Sequence, residues 1–343
     1  MLSTTPMRAA SLAVAASASL FIASCSAGNA PSDNAAPQAS GSPEAKTTTV
    51  VATTNVWADV AGAVLGEEVP AVISNPATDP HEFEPSAADL AKVTEAGLLV
   101  ANGGAYDNAI YSAADPANVI SAIPLVDGAH AHAGHDHAGH DHAGHDHASE
   151  EMPAGHEGES PEEHAAHAGH DHAGHDHADG ENEHVWYDTK TVREVADKLA
   201  ADAEKEGHDA DTAEVTKRLD AIQSKLDALP GARVAQTHPI ADAIIEATAL
   251  NDVTPAEFRQ ATLNENEPAS SSVAELITMI ENGEVDLVIN NPQTPDALTE
   301  RILEAAKAKG VAVVDIAETP QGGADFFDYF DEIAASLAEA LKA

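Results

Sequence analysis

Hydrophobic positions along this chain fall into two alternating rhythms. Short β-branched or aliphatic runs occur at Thr47 to Thr54, Val69 to Ile73, Leu98 to Ala101 and Val119 to Leu125, and again at Ala232 to Gln236, Val285 to Asn290 and Val311 to Ile316. These lengths and residue types predict strands. Between them apolar residues recur at helical spacing. Trp57, Val60 and Val64 mark one helix, and Leu90 to Ala96 reads as another. Ile240 to Leu250, Ser272 to Asn282, Leu298 to Ala308 and Phe326 to Leu341 predict helices in the second half. Strands alternating with helices predict parallel sheets covered by helices. A long polar-faced stretch, 189–229, carries Leu199, Leu219, Ile222 and Leu226 at helical spacing and stops at Pro230-Gly231. It predicts one helix long enough to cross much of the protein.

The pattern breaks at both ends of the first half. Residues 9–23 form an apolar run that follows Arg8, right for a signal-peptide core and too short to span a bilayer. From about 128 to 183 almost nothing apolar is larger than Ala, and Gly-His-Asp-His-Ala recurs five times. A period of five suits neither helix nor strand, so this segment predicts a disordered surface loop inside a domain. The expected organisation is a signal peptide over 1–24 and a Ser-, Gly- and Pro-rich tether over 25–46. A first lobe over 47–188 with its His-rich loop, a linking helix over 189–229 and a second lobe over 230–343 complete it.

Composition narrows the function. Of 343 residues 43% are hydrophobic but only 3% aromatic, so the core must rest mainly on Ala, Val, Leu and Ile. The net charge of −42 excludes a nucleic-acid partner, which needs Lys and Arg against its phosphates. It suits divalent cations, or simply solubility outside the cytoplasm. Cys25 is the single cysteine, so neither an internal disulfide nor a thiolate metal site is available. Ile22-Ala23-Ser24-Cys25 resembles the lipobox of bacterial lipoproteins, which implies cleavage before Cys25 and a lipid anchor on its thiol.

Outside the loop four histidines remain: His81, His184, His208 and His238. His81 lies between Pro80 and Pro85, in a segment the prolines keep extended. His184 stands where the loop returns to the fold, and His238 where a strand gives way to a helix. His208, beside Gly207 on the long helix, reads as a solvated surface residue. On spacing alone the other three are either separate capping or buried histidines, or the members of one metal site.

Five motifs favour the second reading. Val72-Ile-Ser-Asn-Pro-Ala-Thr-Asp-Pro-His81-Glu-Phe-Glu-Pro85 resembles the first-ligand motif of the zinc- and manganese-binding lipoproteins of ABC uptake systems. Asn102-Gly103-Gly-Ala-Tyr106-Asp107 is similar to a turn in that family, and His184-Val-Trp-Tyr-Asp188 to its second-ligand motif. Thr237-His238 matches its third-ligand position, and Ala317-Glu318-Thr319-Pro320 the place of a carboxylate after the last strand. The resemblance runs from about Val50 to the C-terminus, apart from the His-rich loop.

The resemblance implies an α/β fold of two lobes with parallel-type sheets joined by one long backbone helix, the metal at the lobe interface. It implies His81, His184, His238 and Glu318 as ligands, with Asp315 or water as alternatives for the fourth, and Glu82, Glu265 and Glu267 in supporting or surface roles. An imidazole-rich site suits Zn²⁺ as the transported ion better than Mn²⁺, which prefers more oxygen. The His-rich loop points the same way. Its His135, His137, His140, His142, His145, His147, His170, His172, His175 and His177 stand in pairs two residues apart that can chelate weakly. Ordinary histidine titration, near pH 6.5, would release the metal in acid. The expected function is a monomeric, membrane-anchored receptor that hands Zn²⁺ to an ABC permease and carries out no catalysis. A surface zinc buffer or adhesin, and a zinc hydrolase, are the competing readings. Against the hydrolase, the chain has no His-Glu-x-x-His.

Overall fold

Both halves of the chain build the same sheet. The computed structural model describes residues 48–78, 80–81, 83–126 and 182–342. The expected signal peptide, tether, Cys25 anchor and all ten His-rich-loop ligands lie outside them, as do Asp79 and Glu82. In the first lobe the strands are β1 (Val50–Thr54), β2 (Ala71–Ile73), β3 (Leu98–Ala101) and β4 (Val119–Ser121). All pair in parallel, in the order β2-β1-β3-β4. The second lobe repeats this with β5 (Ala232–Gln236), β6 (Leu250–Asp252), β7 (Leu287–Asn290) and β8 (Ala312–Asp315), ordered β6-β5-β7-β8.

Each central strand is apolar on both faces, as a sheet covered twice requires. The faces sort by residue parity. Val50, Ala52, Leu98, Val100, Val234, Leu287 and Ile289 turn into one core, while Val51, Leu99 and Ala101 turn into a second and Ala235 and Val288 into a third. The shared core holds a helical layer between the sheets: α1 (Asn55–Leu65), α4 (Thr189–Lys205), α5 (Ala213–Leu226) and α10 (Phe326–Ala340). Outside the first sheet lie α2 (Ala87–Glu95) and α3 (Asn108–Tyr111). Around the second lobe lie α6 (Asp242–Glu246), α7 (Ala256–Leu263), α8 (Ser270–Asn282) and α9 (Ala297–Lys309). The few aromatics are spent in the shared layer, where Trp57, Trp186, Tyr187, Phe326, Phe327 and Phe330 are all fully buried. Each such side chain contributes roughly 1.5–3 kcal/mol by leaving water, so this layer ties the two lobes together.

Three expectations need correction. The single helix over 189–229 is two helices, α4 and α5, turned at Gly207, whose φ of 89° only glycine adopts freely. His208 therefore leaves the helix surface, and its Nε2 bonds the Thr48 carbonyl at 2.7 Å. The helix expected to run to Leu250 ends at Glu246, because Leu250–Asp252 is edge strand β6. The expected loop of 128–183 also ends early. Asn182 and Glu183 belong to the fold: Asn182 bonds Asp242 in the second lobe, and Glu183 accepts the Ala105 N–H at 2.7 Å.

Candidate metal centre

The functional side chains stand on loops at the carboxyl ends of parallel strands, where open α/β sheets present their sites. His81 follows β2, His238 lies two residues past the end of β5, and Glu318 three past the end of β8. His184 precedes α4, whose start is fixed by Asp188 accepting the Lys190 and Thr191 N–H groups at 3.0 and 3.2 Å.

The four side chains meet. His184 Nε2 lies 3.4 Å from His81 Nε2 and 3.2 Å from His238 Nε2. The Glu318 carboxylate lies 3.6 Å from His81 and 3.7 Å from His184. All four donor atoms fall within 4.8 Å of one another. A tetrahedral ion with bonds of about 2.0–2.1 Å needs ligand atoms roughly 3.3–3.4 Å apart, so these spacings fit one. Three imidazole lone pairs and a carboxylate crowded this closely repel each other unless a cation sits among them.

The electrostatics favour donor-ready forms. Burial, then the neighbouring His184, pushes His238 down to about 3, so it is neutral and able to donate its lone pair. It therefore titrates well below the ordinary histidine value. Burial by itself would raise the Glu318 carboxyl, but His184, His81 and His238 together hold it well below the usual range. With a divalent ion bound, one carboxylate and three neutral imidazoles leave a charge of +1.

Neighbouring groups aim the donors. His184 Nδ1 meets Asn182 Oδ1 at 2.7 Å, which leaves Nε2 facing the cluster. Asn182 Nδ2 points at two acceptors, Pro239 O at 2.5 Å and Asp242 Oδ2 at 2.7 Å, and this fixes the amide's orientation. His81 Nδ1 meets the Glu265 carboxylate. Asn291 Nδ2 and Tyr106 OH donate to Glu318 at 3.1 and 3.3 Å. Tyr106 is held by the turn after β3, where Gly103 and Gly104 adopt φ of 91° and 62° and a Cβ on Gly104 would strike Glu183. Asp107 closes that turn, accepting from Thr53 Oγ1 and from the Asn102 and Gly103 N–H groups.

Asp315, the alternative to Glu318, is turned to Asn290 Nδ2 at 2.7 Å and is not part of the cluster. Glu267 lines a cleft of about 450 Å³ that borders His81, His238, Glu265 and Asp296. Asn182 and Gln293, whose Oε1 accepts the Glu318 N–H at 2.6 Å, gave no sequence signal, since each acts only through contacts that the fold creates.

A family model described as "Zinc-uptake complex component A periplasmic", ZnuA, matches residues 50–340. The chain belongs to the ZnuA family. Its members are extracytoplasmic metal-binding receptors of ABC transporters. Solved structures share the fold at low identity. A ZnuA crystal structure is 16% identical with a TM-score of 0.52, covering 85% of this chain and 98% of that one. FpvC from Pseudomonas aeruginosa in complex with Mn²⁺ is 17% identical with a TM-score of 0.55, covering 87% and 99%. A zinc-bound ZnuA deletion mutant is 16% identical with a TM-score of 0.52, covering 87% and 99%. No curated protein sequence matches the chain significantly. Among the described residues no helix is long and apolar enough to cross a membrane.

Proposed function

We propose that this protein captures Zn²⁺ outside the cytoplasm with His81, His184, His238 and Glu318 and delivers it to an ABC permease. The observation that carries this reading is the convergence of four donor atoms within 4.8 Å, two from each lobe. Three imidazoles and one carboxylate suit Zn²⁺ better than Mn²⁺. Structural relatives solved with Mn²⁺ and Ni²⁺ mark the ions against which selectivity has to be measured. Because both lobes supply ligands, the bound ion links them, and a permease can read that link.

The rest of the chain fits the same task. Residues 1–24 act as a signal peptide, and Cys25 carries a lipid that holds the protein, as a monomer, to the membrane through the tether of 25–46. The lobes span 47–188 and 230–343, with 189–229 between them. The His-rich segment raises the local zinc concentration beside the cleft by offering many weak sites.

The test is competition for zinc, manganese and nickel against chelators of graded strength. Zinc must be held most tightly, and His81→Ala, His184→Ala, His238→Ala and Glu318→Ala must each weaken it. Tighter manganese than zinc binding would overturn the assignment of the cargo.

A further inference from the structure

His81 is the most exposed of the four cluster side chains, at 10% against 4% for His184 and 0% for Glu318. It stands on the segment between β2 and α2 in the first lobe, beside the cleft. Its Nε2 faces the cluster, and its Nδ1 meets a carboxylate from the other lobe, Glu265.

Glu265 stands at an unusual place. α7 ends in a Schellman turn, with Asn266 N bonded to Ala261 O at 2.9 Å and Glu265 N to Thr262 O at 3.2 Å. That turn puts its closing residue in the left-handed region, where glycine is the usual choice. α1, α8 and α9 follow the rule with Gly66, Gly283 and Gly310, at φ of 70°, 75° and 78°. At the end of α7 the position belongs to Glu265, at φ 54°, the only non-glycine residue with positive φ among those described. A Cβ there is a backbone cost that glycine avoids. Strain of this kind persists where a side chain has work to do, and this carboxylate ends on His81.

We propose that Glu265 is a positioning residue for the metal, reaching across from the second lobe to hold His81 by its Nδ1 so that Nε2 is aimed at the ion. The proposal rests on His81 being a ligand. A carboxylate that accepts the Nδ1–H fixes the ring's tautomer and orientation and strengthens the other nitrogen as a donor. It also spares the metal the ordering of a side chain carried on a loop. The turn after α7, at the rim of the cleft, thereby becomes sensitive to whether His81 is coordinated.

The experiment measures zinc affinity of the full chain against a chelator strong enough to strip the weak histidine sites, alongside thermal unfolding of the metal-free protein. The variants are Glu265→Gly, Glu265→Gln, His81→Ala, and His81→Ala with Glu265→Gly. Loss of such a supporting carboxylate typically weakens metal binding about 10–100-fold. Glu265→Gly is expected to do so while the metal-free protein melts no lower, since glycine adopts this backbone freely. Glu265→Gln, which can still accept the Nδ1–H but carries no charge, is expected to fall between. In the His81→Ala background, Glu265→Gly is expected to have no further effect. Wild-type affinity in Glu265→Gly, while His81→Ala weakens binding, would overturn the proposal and leave the metal site standing. An equal loss in both backgrounds would also overturn it, because the effect would not pass through His81. If His81→Ala bound zinc like the wild type, the ligand reading would fail, and this inference with it.

Discussion

The two lobes are built on the same strand order, yet they hold their ligands in opposite ways. In the second lobe Glu318 is gripped from every side. The Ala317 carbonyl before it accepts from Tyr187 OH at 2.5 Å, and the Ala317 N–H donates to Tyr329 OH at 2.9 Å. The Glu318 N–H donates to Gln293 Oε1 at 2.6 Å, and its carboxylate accepts from Asn291 and Tyr106. In the first lobe His81 sits on a longer connection, and the second lobe supplies its anchors. Pro76 O, five residues earlier, accepts from Gln293 Nε2 and Thr319 Oγ1 at 3.2 Å and from Gln321 Nε2 at 3.3 Å. The second lobe thus holds Glu318 with its own Gln293, Asn291 and Tyr329, reinforced by Tyr106 and Tyr187 of the first, whereas the His81 segment is clasped by anchors from the second lobe. Gln293 joins the two tasks, since one end of its amide holds Glu318 and the other holds the His81 segment.

The largest effect that would sharpen this contrast is at His238, which is buried to 5% exposure. Tight zinc sites are worth about 10–16 kcal/mol over their ligands, so losing one of four should weaken binding on the order of a hundredfold or more. His238→Ala should exceed His81→Ala in a chelator competition, because His81 is partly exposed while His238 is buried, so water takes the place of His81 more readily. Equal losses would break the distinction between a fixed and a clasped ligand.

Next comes Asp107, 2% exposed, which organises the turn that carries Tyr106. Asp107→Ala strands the buried N–H groups of Asn102 and Gly103, at about 1–3 kcal/mol each. Denaturant unfolding of the metal-free protein should show a loss of roughly 2–4 kcal/mol, below the full sum because the desolvation of the buried carboxyl goes with it.

A smaller effect belongs to the clasp. Gln293→Glu still accepts from the Glu318 N–H but can no longer donate to Pro76 O or Thr319 Oγ1. Two lost hydrogen bonds, about 0.5–1.5 kcal/mol each, should weaken zinc binding about tenfold or more, read as faster release to a chelator.

The smallest is a pH effect away from the metal. Burial pushes the Asp59 carboxyl up to about 6 despite the Phe326 N–H it accepts. A raised carboxyl favours the protonated fold, so its charging removes stability as pH rises from about 4 to 6 and leaves it reduced above. Asp59→Asn should therefore match the wild-type metal-free stability near pH 4 and exceed it near pH 8, with unfolding midpoints as the readout. An advantage that shrank as pH rose would contradict the buried-charge assignment.

The strand runs of both sheets were legible because a doubly covered strand is mostly apolar, and Val50–Ala52, Leu98–Ala101, Val234–Ala235 and Leu287–Ile289 announce themselves this way. The motifs around His81, His184, His238 and Glu318 likewise single out four side chains that the fold brings together. The break between α4 and α5 was hidden because no proline marks it and only the left-handed backbone of Gly207 turns the chain. β6, three residues long on a sheet edge, leaves too short a pattern to separate from the helix before it. Asn182 and Gln293 were illegible as site residues, and Glu265 stood among three acidic candidates with nothing to separate it, because polar side chains on loops acquire meaning only from what the fold brings opposite them.

The most direct measurement is zinc stoichiometry and affinity by calorimetry with a competing chelator. It compares the chain beginning at residue 26, the same chain lacking 130–180, and that deletion carrying His81→Ala. One tight site that survives the deletion and is lost or strongly weakened with His81→Ala is the expected result. Disappearance of all tight binding with the deleted segment would contradict the interlobe site and leave a surface zinc sponge in its place.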